Sequence, residues 1–191
     1  MRNYLRKLKS YVKNWVSETL PSREQALQLL RENECSDEVI NHCKAVTELA
    51  LKTAKRLEER GLKIDLAIVE IGALLHDIGR SKTHTVHHAV VGAEIAKSAG
   101  LPNSVVSIIK RHVGGGITAS EAKELGWKKD VYVPITLEEK VVSYADKLIE
   151  NGKRAPIEVT VEKLSGEQKL EAAERVRKLY EEITALIGDC P

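Results

Sequence analysis

The sequence predicts an all-α protein, a single-domain helical bundle with an accessory pair of helices at its N-terminus. Apolar residues recur at a spacing of 3.6 through nearly the whole chain, and Ser, Thr and Asp stand where such stripes begin. Only one short segment, 157–164, alternates at period two. With 191 residues, 42% hydrophobic and 30% charged, the chain has enough apolar material to bury a full core as one domain.

Leu5, Leu8, Val12, Trp15 and Val16 form the stripe of a first helix that stops before Pro21, and Ser22 with Gln25 has the capping-box pattern of a second. Asp37 opens a third, striped by Val39, Cys43, Val46, Ala50, Ala54 and Leu57 and closed by Gly61. Asp65 caps a fourth over 66–76, which is apolar almost all round, as a buried central helix is, and Gly79 stands where a terminating glycine belongs. Helices follow over about 87–99 and 103–112, separated by the breaker turn GLPN, and Gly114, Gly115 and Gly116 end that series. Thr136 with Glu139 opens a helix carrying Val142, Ala145 and Ile149. Ser165 with Gln168 opens the last, striped by Leu170, Ala173, Val176, Tyr180, Ile183 and Ile187. The stretch IEVTVEKL, 157–164, reads as one short strand without a partner. The expected organisation is accessory helices over 1–34, a core domain over 35–152, and a C-terminal segment and helix over 153–191 packed on it.

Charge and cysteine content narrow the function classes. The net charge of +2 is the small difference between 30 basic and 28 acidic residues, so no global field draws the molecule onto nucleic acid or acidic lipid. Cys35, Cys43 and Cys190 are odd in number and lack CxxC spacing, which fits a reducing cytoplasm and neither a disulfide framework nor a thiolate zinc site. No apolar run is long enough to span a bilayer. Arg2, Arg6, Lys7, Lys9 and Lys13 surround the first stripe in the manner of a basic amphipathic helix for lipid or RNA, although such a stripe more often docks on its own domain or a second copy. P-loop, nucleophile-elbow and cysteine-nucleophile patterns are absent from the sequence.

Of six histidines, five fall between positions 76 and 112. His42 lies three residues after Val39 and four before Val46, on the inward face of its helix. His76 and Asp77 end the buried helix, where a polar doublet is costly unless something coordinates it. His112 ends a helix with Ile108 and Ile109 one turn behind, and Asp146 follows Val142 by four residues. Mixed imidazole and carboxylate suits a divalent transition metal, Fe, Mn, Zn or Co, with Mg also compatible. His42, His76, Asp77 and Asp146 offer one ion four ligands from three helices. His112 and one of His84, His87 and His88 offer a second ion two more, with Asp77 bridging. Small Gly92 and Ala96, one and two turns on, favour His88 as that ligand, leaving His84 and His87 as loop or substrate-facing residues.

These residues carry a resemblance. LLHDIGR, with His42 upstream and Asp146 downstream, resembles the HD superfamily of metal-dependent phosphohydrolases over roughly 37–151, its H...HD...D pattern falling on His42, His76, Asp77 and Asp146. HHAVVGAEIA, IIKRHVGGG and LEEKVVSYADKLIE are similar to the bacterial HD hydrolases that split diadenosine tetraphosphate symmetrically, which implies a two-metal site with His88 and His112 in the ligand set. Lys147 stands where that family has Tyr, and NGKRAP replaces its Glu-Pro segment. The whole chain, with CSDEVINHCKAV approaching His42, more closely resembles a small archaeal HD family that also occurs joined to a tRNA ribose 2′-O-methyltransferase.

The resemblance implies hydrolysis of a nucleotide or dinucleoside polyphosphate, the metals lowering the pKa of a bound water to about 7. Asp77 would bridge them, and Arg80, Lys110, Arg111 and Lys147 would clamp the developing phosphoryl charge. Arg80, His84, His87 and the backbone at Gly115 would face the substrate. The alternative is a nucleotide-binding regulatory module or tRNA-modification companion without hydrolytic activity. RNA and a second copy of the chain are the further partners considered.

Overall fold

The computed structural model describes residues 20–188; the expected first helix, its basic residues and Cys190 lie outside them. Among the described residues the architecture is helical, with one two-stranded hairpin. α1 (Arg23–Glu32) starts at Ser22, whose hydroxyl and the Gln25 side chain form the expected capping box. α2 (Asp37–Glu59) is capped by Ser36 instead of Asp37, which sits in the first turn with Glu38, where acidic side chains favour the helix dipole. α3 (Leu66–Leu75) is capped by Asp65, which accepts from the backbone N–H groups of Ala67 and Ile68 at 2.9 and 3.0 Å.

α3 is the central helix, packed against α1, α2, α5 (Asn103–Arg111) and α7 (Leu137–Lys147). Its contact with α5 requires Gly72, because a Cβ there would stand 2.3 Å from Ile108 Cδ1. After α3 the chain makes a short 3₁₀ turn (Ile78–Ser81) against α4 (His88–Ser98). Gly79 lies inside that turn and its role differs from the one expected. It permits close approach, since a Cβ would meet the His88 carbonyl oxygen at 2.0 Å.

Beyond α5, a 3₁₀ turn (Val113–Gly115) leads to α6 (Ala119–Glu124), a helix not expected from the sequence although Thr118 and Glu121 form its capping box. α7 follows its expected capping box, Thr136 with Glu139, but Ile149 falls beyond it in β1 (Ile149–Glu150), paired antiparallel with β2 (Lys153–Arg154). Two helices, α8 (Ile157–Gly166) and α9 (Leu170–Ile187), complete the described chain.

Two expectations are corrected here. The segment 157–164 is helical: Pro156 fixes its entry, and Ile157 and Val161, four apart, are the residues α8 buries. Ser165 ends α8, donating to the Val161 carbonyl, and the chain turns through Gln168 at φ 59° before α9 begins. The Ser165–Gln168 pair is therefore a stop instead of a start.

Two buried clusters hold the bundle. One joins the latter part of α2 to α3, α5, α7, α8 and α9 through Val46, Leu57, Ile108, Tyr144, Val176 and Ile183. The other joins α1, the start of α2, α3, α4 and α5 through Leu30, Cys43, Leu74, Ile78, Ala96 and Ile109. Truncating a wholly buried Leu74 or Ile183 to Ala would cost about 2–5 kcal/mol. No described helix is long and apolar enough to cross a membrane.

Candidate metal centre

The histidines and aspartates singled out from helical phase converge where α2, α3, α4, α5 and α7 approach one another. His76, Asp77, His88 and His112 are buried, and His42 and Asp146 close the cluster from α2 and α7. Three imidazoles are oriented by their own helices. Nδ1 of His76, His88 and His112 lies 2.7, 2.7 and 2.8 Å from the carbonyl oxygen three residues earlier, on Ala73, Thr85 and Ile109. A carbonyl only accepts, so each Nδ1 carries the proton, and Nε2 is turned toward the centre.

Each carboxylate has one oxygen among imidazoles and one beside a cation. Asp146 Oδ1 is 3.0 Å from His42 Nε2 and 3.4 Å from His76 Nε2, while Oδ2 accepts from Lys147. Asp77 Oδ1 is 3.1 Å from His88 Nε2 and 3.4 Å from His112 Nε2, while Oδ2 accepts from Arg80 Nε at 2.5 Å. His76 stands between the two halves, its Nε2 3.7 Å from Asp77 Oδ2.

The donor set fits divalent ions. His76 Nε2 and Asp77 Oδ1 are buried without a hydrogen-bond partner, an expense that proteins seldom leave uncompensated. His88 and His112 bring their Nε2 atoms to 3.1 Å with both Nδ1 protons already committed, so in the neutral rings two lone pairs face one another. Two groups could hold an ion, their donor atoms lying within 4.8 Å of one another: His42, His76 and Asp146, and His76, Asp77 and His112.

The electrostatics agree with a demand for positive charge. Burial opposes ionisation of Asp77, yet the charge of His76 and the contacts of His112 and His88 hold its carboxyl well below the usual range. For Asp146 burial again opposes, and Lys147 with His42 and His76 outweighs it. Burial disfavours charge on His76, but Asp77 foremost raises its pKa, whereas burial pushes His112 down to about 4. The carboxylates thus favour positive charge at the centre, which a bound cation would supply.

A cavity of about 480 Å³ opens beside the cluster and shares His42 and Asp77 with it. Arg80 and His84 line it, together with Ser36, Glu38, Val39 and Asn41 from the start of α2 and the hairpin turn Asn151–Gly152. Other expected site residues lie elsewhere. Lys110 pairs with Asp130 at 2.6 Å and sits over the Tyr132 ring, and Arg111 pairs with buried Glu139 at 2.6 Å. Both cations are held by carboxylates of the 130–139 segment and neither lines the cavity, whereas Arg80 lines it and Lys147 pairs with Asp146. Gly115 presses on α9, where a Cβ would meet Val176 N at 3.1 Å, and it is not among the residues that line the cavity. His87 is exposed and accepts from Trp127 Nε1 at 2.8 Å.

Sequence reasoning missed Ser143, which is fully buried and donates to the His112 carbonyl at 2.9 Å. It also missed the polar lining of the cavity. A signal for part of that lining was present, since Glu38 and Asn41 precede His42 by four residues and one, within one helical turn.

A helical bundle that drives four imidazoles and two carboxylates into one cluster defines a class of His/Asp metal-site proteins. The HD domain family model matches residues 39–151, more than half of the chain, and the protein belongs to that family. It is 47% identical over 140 residues to an uncharacterized protein of Methanocaldococcus jannaschii, covering 73% of this chain and 82% of that one. It is also 41% identical over 169 residues to the tRNA (cytidine(56)-2′-O)-methyltransferase of Thermoplasma volcanium, covering 88% of this chain and 48% of that enzyme. The chain thus spans about half the length of this methyltransferase relative. The fold is shared with the HD domain of the L. monocytogenes phosphodiesterase PgpH, solved in complex with cyclic-di-AMP, at a TM-score of 0.53 and 16% identity over 87% of this chain and 99% of that one.

Proposed function

We propose that the protein is a metal-dependent phosphohydrolase acting on a nucleotide or dinucleoside polyphosphate, with His42, His76, Asp77, His88, His112 and Asp146 as metal ligands. The observation that carries this reading is the pair of carboxylates, Asp77 buried and Asp146 partly so, among four imidazoles, with His76 Nε2 and Asp77 Oδ1 unpartnered, directly beside an open cavity. Divalent ions held there supply an activated water at neutral pH and positive charge for a phosphoryl oxygen.

The chain's own residues supply the rest. Asp77 would be a ligand shared by the histidines of both groups, because its carboxylate lies among His42, His76, His88 and His112. Arg80 is oriented through Nε by Asp77, leaving its terminal nitrogens at the cavity to bind phosphoryl oxygens. Lys147, held by Asp146, adds a second positive charge at the other carboxylate. His84 lines the cavity as a further donor to substrate.

A second reading, a companion of tRNA modification without hydrolytic activity, is favoured by the 41% identity to the methyltransferase. The two separate on product analysis by chromatography. Protein loaded with Mn, Fe or Co is incubated with nucleotides and dinucleoside polyphosphates, with Asp77→Ala as control. Turnover that is lost in the control supports the hydrolase. Metal-bearing protein that converts nothing overturns it in favour of the companion role.

A further inference from the structure

We infer that the cavity beside the metal centre selects a phosphate carried on a ribose, with Glu38, Asn41 and Asn151 reading sugar hydroxyls and Glu38 turning away a second phosphate. The inference rests on the phosphohydrolase reading and names its substrate class.

Chemistry divides the cavity lining. Arg80 and His84 supply the groups suited to a phosphate, and Arg80 is fixed to Asp77 of the cluster. Glu38, Asn41 and Asn151 supply a carboxylate and two carboxamides. A carboxylate accepts from two adjacent hydroxyls, and a carboxamide both donates to a hydroxyl and accepts from it, which is the pattern a ribose diol presents. Among the described residues no Phe, Tyr or Trp lines the cavity, and its polar groups are the ones that would meet a sugar. Glu38, exposed in the first turn of α2, puts a negative charge on the cavity lining, which disfavours a phosphate beyond the one at Arg80.

The three side chains are placed with respect to the centre. Glu38, Asn41 and His42 are i, i+3 and i+4 on α2, and therefore share one face with a metal ligand. Asn151 sits on the turn that continues α7, the helix carrying Asp146. Asn151 and Gly152 have φ of 51° and 71°, the pattern of a type I′ turn, and the hairpin is pinned by buried Leu148 and Ile149. Asn-Gly suits such a turn anywhere, and an acidic first turn suits any helix. Neither preference requires these side chains to border the same cavity as His42 and Asp77.

The test compares substrate pairs that differ only in the 2′-hydroxyl: AMP with dAMP, and the dinucleotide ApA with its deoxy form. Each is followed by chromatography with Mn-loaded protein, alongside p-nitrophenyl phosphate, which has no sugar. In the pair that is turned over, the ribose member is expected to have kcat/KM at least about tenfold higher, the worth of one to two hydrogen bonds. Asn41→Ala and Asn151→Gly, the latter compatible with the turn, should each bring that ratio toward one. Glu38→Gln should raise ADP turnover relative to AMP by about tenfold or more. Because each readout is a ratio within one protein, partial misfolding leaves it unchanged. Turnover of p-nitrophenyl phosphate or of a nucleotide pair with a ribose-to-deoxyribose ratio near one, or with a ratio the variants do not move, overturns the inference while the hydrolase reading stands. If metal-bearing protein hydrolyses no ester on the panel, both fall.

Discussion

Asp77 keeps its two oxygens in different company, Oδ1 against His88 and His112 and Oδ2 against Arg80, and it is 3% exposed. In the proposed centre a side chain so placed would contribute to metal binding through its charge as well as its shape. Asp77→Asn keeps the shape, so the variant should fold while its affinity for Mn²⁺ falls by at least about 10–100-fold, the cost of losing even an outer partner of a metal ligand. Metal analysis after dialysis checks this, and full retention of metal would remove Asp77 from the ligand set. Residues of this kind were legible because helical phase betrays an inward polar side chain: His42 follows Val39 and Asp146 follows Val142. Lys110 and Arg111 were not, because their partners Asp130 and Glu139 stand 20 and 28 residues away in a stretch with little period to read.

Elements are joined at the centre by contacts that do not themselves face it. Glu139, 4% exposed, takes Arg111 on one oxygen and the backbone N–H groups of Ile135 and Thr136 on the other, tying the end of α5 to the start of α7. One turn along, Ser143 holds the His112 carbonyl. Ser143→Ala leaves that buried acceptor unpaired, at a cost of about 1–3 kcal/mol, and frees His112 to shift. The expected outcome is weakened binding of one equivalent of Mn²⁺ by calorimetry, with the equivalent held through His42 and Asp146 retained. Unchanged binding of both would show that the clamp does not position His112.

The α6 segment is attached differently, through Glu121, which accepts from Thr118 and from Arg175 of α9. Burial opposes ionisation of Glu121, but the Thr118 amide and Arg175 outweigh it and lower its pKa below the ordinary 4.5. The folded protein therefore releases this proton more readily than the unfolded chain. The stability so gained is present above pH 4.5 and lost as pH falls through the lowered value. Hydrogen exchange of amides 117–132 should quicken on acidification, and Glu121→Gln should already exchange faster at pH 7. A segment whose protection is the same in both proteins would contradict this attachment. α6 is six residues long, too short for a periodic stripe, although its capping box could be read. In 157–164 period two and period four both fit Ile157 and Val161, and Pro156 with the packing of α8 on α9 decided for the helix.

At the scale of the molecule, the two apolar clusters leave the polar centre at the place where five helices meet, so an ion there links segments that otherwise pack pairwise. The helical bundle was legible because most stripes run for three turns or more; the centre's exact pairing was not, since it depends on how those helices cross. In the metal-free protein the carboxylates face His76, whose pKa Asp77 raises, and pair with Arg80 and Lys147, while the Nε2 atoms of His88 and His112 confront one another. Binding of a divalent ion to the folded state alone relieves those contacts and stabilises by about 2.7 kcal/mol at a hundredfold excess over its dissociation constant. For a chain of this length that corresponds to a rise in melting temperature of roughly 5–11 °C. A chelator should lower Tm by that amount and Mn²⁺ should restore it, whereas Asp77→Asn should melt at one temperature in either buffer. A wild-type protein whose melting ignores both chelator and Mn²⁺ would mean that the cluster is satisfied by protons alone, and the proposed centre would have to be abandoned.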